Sequence, residues 1–118
     1  KHTEISCYLA CMNHRMILLL LTCICTACGE PGNGCLNDRL PDFKAWCCPQ
    51  GSTVSTYRFQ GDLVQVYDPG SCGADFPSYV LGSGCDTLGF LGGIAGFTDI
   101  QGVNFINNAT FEKVIWSN

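Results

Sequence analysis

The chain has 118 residues, enough for one small domain, and ten of them are cysteine. Only 14% are charged and 47% are apolar, which excludes a disordered chain. The net charge is −4 with no basic run, which argues against nucleic acid and against anionic lipid held by charge, because both need clustered Lys and Arg.

Arg15 precedes the apolar run MILLLLTCICTA (residues 16–27), which ends in small residues. A basic flank, about a dozen apolar residues and a small-residue end make a secretory signal. The run falls short of the roughly 20 apolar residues that span a bilayer. A cut after Ala27 puts Cys25 and Ala27 at the positions the peptidase reads. The alternative is a buried core helix. A lipoprotein signal also ends in a cysteine that becomes the mature N-terminus, although Cys25 stands where that motif prefers Leu. Translation from Met12 or Met16 would leave residues 1–11, with Cys7 and Cys11, outside the product. Residues 1–27 therefore read as leader and signal, residues 28–118 as a single domain, and the protein as secreted.

Cleavage there leaves 91 residues, a net charge of −5, no histidine and six cysteines: Cys28, Cys35, Cys47, Cys48, Cys72 and Cys85. An even number suits an oxidising compartment, and six cysteines allow 15 pairings. Neighbours Cys47 and Cys48 are expected to reach different partners, because a bond between them is strained. The order single, single, double, single, single resembles the inhibitor cystine knot of small toxins and protease inhibitors. That resemblance implies pairing 28–48, 35–72 and 47–85, although the later intervals are longer than in that family.

Along the mature chain, residues 29–37 (GEPGNGCLN) predict a tethered loop. Residues 38–46 (DRLPDFKAW) predict one helical turn capped by Asp42 and stopped by Pro49. Residues 53–67 predict a hairpin, with Val54, Thr56, Tyr57 and Phe59 in one strand, Leu63, Val64, Val66 and Tyr67 in the next, and Gln60-Gly61-Asp62 as the turn. Asp68-Pro69-Gly70 ends the second strand. Residues 77–81 predict a short strand closing on Gly82-Ser83-Gly84. Residues 88–97 (LGFLGGIAGF) are apolar and uncharged with four glycines, which disfavours a helix. They read as a glycine-bent core strand or, through Leu88, Phe90, Leu91, Ile94 and Phe97, as an exposed patch for a membrane or partner. The run also has a passing similarity to the fusion peptide of influenza haemagglutinin. Residues 103–106 and 110–116 predict two strands joined by Asn107-Asn108-Ala109, the last an edge strand. The expected fold class is an all-β or β-rich small disulfide-stapled domain, with long Gly-rich loops and at most one short helix.

Without histidine the mature chain lacks the usual general base and the commonest zinc ligand, so no catalytic residue, metal or cofactor is assigned. The remaining catalytic option is a carboxylate pair, as in glycosidases, drawn from Asp62, Asp68, Asp75 and Asp86. Asn108-Ala109-Thr110 is an N-glycosylation acceptor. Trp46, Tyr57, Phe59, Tyr67, Tyr79 and Trp116 supply either a sugar-stacking face or most of the core.

A signal, six to ten cysteines, one domain and no catalytic set resemble the small secreted cysteine-rich proteins that fungi export as effectors and toxins. The resemblance implies a non-enzymatic extracellular binding protein acting on a host protein, cell wall or membrane. The alternatives are a knottin-like protease inhibitor or toxin, and a small carboxylate glycoside hydrolase. The partner is an extracellular protein, glycan or membrane, not nucleic acid.

Overall fold

The computed structural model describes residues 34–73 and 75–118; the expected leader, signal and Cys28 lie outside them. Helix α1 (Gly34–Trp46) opens the described chain. It has 13 residues and contains Pro41, so residues 34–37 of the predicted loop are helical and the predicted single turn is three times longer. An interior proline forfeits a backbone bond and costs about 3 kcal/mol. A packed stripe outweighs that cost: Leu36, Leu40, Phe43 and Cys47, spaced i, i+4, i+7, i+11, lie with Cys35 against the sheet. Lys44, in the last turn, meets the negative end of the helix dipole, and its Nζ sits 5.5 Å from the centre of the Trp116 ring. The Cys47 amide closes the last turn on the Phe43 carbonyl at 2.9 Å.

Strands β1 (Thr53–Phe59) and β2 (Asp62–Asp68) form the predicted hairpin, in register from Thr53↔Asp68 to Phe59↔Asp62. Its turn is only two residues long, so Asp62 belongs to the strand. Gln60 (φ 54°) and Gly61 (φ 80°) both occupy the left-handed region, as a type I′ turn requires. Strands β3 (Pro77–Leu81) and β4 (Thr87–Gly92) follow. A two-stranded ladder, β5 (Asp99–Ile100) and β6 (Val103–Asn104), turns through Gln101 and Gly102, again both with positive φ. The predicted strand over 103–106 stops at Asn104. Its side chain accepts from the Asn107 amide and caps the short helix α2 (Phe105–Asn108). Strand β7 (Ala109–Ser117) returns beside β1.

The main sheet is antiparallel, in the order β4-β3-β2-β1-β7. Side-chain alternation divides it into two faces. Val54, Tyr67, Tyr79 and Leu81 face α1 and build one core with Phe43 and Cys35. Val64, Val66 and Val80 point the other way, where Phe59, Ile100 and Phe105 build a second core under β5, β6 and α2. Gly89 packs closely there: an added Cβ would stand 3.0 Å from Ile100 Cδ1, which would have to shift by a few tenths of an ångström. Strand β7 is an edge strand and carries two register shifts against β1, which blunt it as a template for further pairing. The protein is thus β-rich and disulfide-stapled, with two helices among the described residues, one of them short.

Two disulfides are formed among the described residues, Cys35–Cys85 and Cys48–Cys72, with Cα separations of 5.2 and 5.5 Å. The knot pairing is therefore corrected. Packing of α1 on the sheet delivers Cys35 to the β3–β4 turn. A bond from the Cys48 amide to the Pro69 carbonyl (2.9 Å) holds Cys48 beside the segment that carries Cys72. Cys47, enrolled in a disulfide by the sequence pattern, carries a free thiol that is half-buried against the helix-side core.

Candidate functional site

The four aspartates do not converge. Asp62 opens β2 and Asp68 closes it, about 20 Å apart at ~3.3 Å per residue. Asp68 spends one carboxylate oxygen on the Gly70 amide, at 2.9 Å, as a turn former does. Asp75 lies near that same end, just before β3. Asp62 and Asp86 do share a cleft of about 280 Å³ between three turns. Gln60, Ser83 and Gln101 line its polar side, and Leu88 and Ile100 its apolar side. Asp86 leans over the β3–β4 turn, its Oδ1 3.0 Å from where a Cβ on Gly82 would stand. Among the described residues no group of three or more His, Cys, Asp or Glu is placed to hold a metal ion.

The six aromatic residues of the predicted stacking face are split by strand alternation. Tyr57 and Phe59 lie on the face covered by α2, both packed on Phe105. Tyr67, Tyr79, Trp46 and Trp116 gather on the α1 face around Phe43, a residue sequence reasoning did not single out. Phe43 is fully buried, and its ring meets those of Trp46, Tyr67, Tyr79 and Trp116 edge-on at 5.3–6.0 Å. Tyr67 and Tyr79 stack at 4.7 Å, and the Tyr67 hydroxyl donates to Gln65 Oε1 at 2.8 Å. Burial raises both phenols above their ordinary value, Tyr79 to about 12, with Arg39 acting in the opposite direction.

Outward from this cluster runs an exposed apolar corner. Trp46 stands 6.0 Å from Tyr79 and 6.2 Å from Phe76, and Tyr79 is opposed across the strands by Phe90. Beyond Pro77, which pairs with Gly92, β4 ends in a closed tip. Gly92 and Phe97 exchange both backbone bonds, at 2.7 and 3.0 Å, around residues 93–96. The corner residues Trp46, Phe76, Phe90, Ile94 and Phe97 range from 43% exposed at Trp46 to 84% at Ile94. The uncharged run is thus an edge strand with a protruding tip, not a core strand. Of its five apolar side chains, Leu88 and Leu91 pack on the core, while Phe90, Ile94 and Phe97 face solvent.

Asn108 is exposed at the end of α2, its Nδ2 donating to the Asn104 carbonyl at 2.7 Å. A second apolar hollow of about 290 Å³, lined by Tyr57, Leu91, Phe105 and Ile106, lies on that side of the sheet. Among the described residues no helix is long and apolar enough to cross a membrane.

Residues 44–118 match the family model described as Domain of unknown function (DUF6970). No curated protein and no solved structure matches the chain.

Proposed function

The chain belongs to the DUF6970 family, and from its geometry we propose that it is an extracellular, non-enzymatic binding domain that engages its partner through the Trp46 corner. The observation that carries this reading is the corner itself. Five of the eight large apolar side chains exposed among the described residues gather there, on a scaffold held by two disulfides. Exposed apolar surface is costly in a small acidic protein unless a partner covers it. The fungal effector style and the secreted location remain part of this proposal.

The test is binding of the wild-type protein and of a corner variant, Trp46→Ser with Ile94→Ser. The probes are phosphatidylcholine vesicles, insoluble polysaccharide and immobilised extracellular-matrix protein. The expected result is association with one probe that the variant loses. Equal binding by both proteins would overturn the proposal. The hydrolase alternative is tested on the same glycans: turnover abolished by Asp62→Asn or Asp86→Asn would replace binding with catalysis.

A further inference from the structure

The geometry points to a neutral polysaccharide as the ligand of the Trp46 corner, an inference that rests on that corner being the binding face. Three independent features converge on this ligand.

The first is shape. Trp46 and Tyr79 lie side by side with their planes 33° apart, Phe76 continues the row at 49° to Trp46, and Phe90 extends it across to β4. Tyr79 is half-buried and stacked on Tyr67 at 4.7 Å, so Trp46, Phe76 and Phe90 are the exposed rings of this strip. Both hollows described above lie elsewhere, so the corner offers a surface for a chain and not a chamber for a small molecule. The C–H faces of pyranose rings carry partial positive charge and complement the negative faces of aromatic rings.

The second is the polar flank. Arg39, Asp42 and Trp46 follow one another at i, i+3 and i+7 along α1 and so share a helix face. Asp42 stands one turn from Trp46, and Arg39, whose Nη2 donates to the Cys85 carbonyl at 3.1 Å, stands one turn further on. Sugar hydroxyls satisfy the Asp42 carboxylate and the remaining Arg39 donors. Lipid tails would strip the water from both.

The third is charge. The chain carries a net charge of −4. Arg58 is committed to Glu112 at 2.8 Å, and Lys44 sits over Trp116. The whole-chain charge disfavours an anionic glycan at long range, and Arg39 and Asp42 balance each other at the strip, so a neutral glycan meets no repulsion.

The experiment is affinity electrophoresis of the full chain in native gels containing hydroxyethylcellulose, glucomannan, soluble β-1,3-glucan or polygalacturonate. At least one neutral polymer is expected to retard the wild-type protein, and polygalacturonate is not. Trp46→Ala should weaken retardation at least fivefold. Trp46→Phe should keep most of it, because a flat ring remains. Phe111→Ser, on the opposite edge, should behave as wild type. Circular dichroism of each variant establishes that it is folded. Absence of retardation by every neutral polymer, or retardation unchanged in Trp46→Ala, overturns the inference. Phosphatidylcholine vesicles sedimented with the same proteins separate the two levels. Vesicle binding lost in Trp46→Ala, without glycan retention, overturns the glycan and keeps the corner. No Trp46-dependent binding to either overturns both.

Discussion

Phe43 and Trp46 sit three residues apart on α1 and separate stability from the proposed recognition. Phe43 is fully buried among four rings, so Phe43→Ala should cost about 3–5 kcal/mol, read as a lower midpoint in urea. Trp46 is 43% exposed, so Trp46→Ala should cost only about 1 kcal/mol while removing the centre of the corner. The buried phenols make a pH prediction. Their pKa values are raised in the folded protein from 10.0, to about 12 for Tyr79. A raised folded value means that the unfolded chain sheds its protons first. Stability is therefore complete below pH 10 and falls as the pH climbs towards 12. Urea midpoints at pH 8 and pH 11 should show this loss, and Tyr79→Phe should shrink it.

At the scale of elements, the β1–β2 turn carries the clearest prediction. Gln60 occupies φ 54°, a conformation that asparagine tolerates better. Gln60→Asn should raise thermal stability by an amount on the order of a few tenths of a kcal/mol. Gly61→Ala, at φ 80°, should lower it by about 1–2 kcal/mol. This hairpin was legible in the sequence because β-branched and aromatic residues flank a polar Gln-Gly pair. The same pair recurs at Gln101-Gly102 and makes the β5–β6 turn. It escaped notice because only two residues flank it on either side, too few to show alternation. Helix α1 was half legible. Gly34, Asn37 and Pro41 speak against a helix locally, yet Leu36, Leu40, Phe43 and Cys47 already have helical spacing. Tertiary packing of that stripe decided the matter. The carboxylate quartet divides for a plainer reason: Asp62 and Asp68 stand at opposite ends of β2, and of the four only Asp62 and Asp86 line the same cleft. The exposure of Phe90, Ile94 and Phe97 was open in the sequence. An uncharged run serves a core or an edge equally well until strand order is known.

At the scale of the molecule, the two disulfides tie α1 and the β1 approach to the far side of the sheet. Cys35–Cys85 closes 50 residues and Cys48–Cys72 closes 24. On loop entropy the longer should be worth about 0.6 kcal/mol more, so removing the 35–85 pair should lower the unfolding midpoint further. Packing does not account for the apolar corner running from Trp46 to the β4 tip, which holds five of the eight large apolar side chains exposed among the described residues. The central claim is that this corner is the binding face. Its most direct test is co-sedimentation of wild type and Trp46→Ala with insoluble neutral polysaccharide, with folding checked by the thermal midpoint. A midpoint close to wild type and affinity reduced at least about tenfold are expected, the mark of a side chain that binding buries. A folded Trp46→Ala protein that binds as tightly as wild type would contradict the claim.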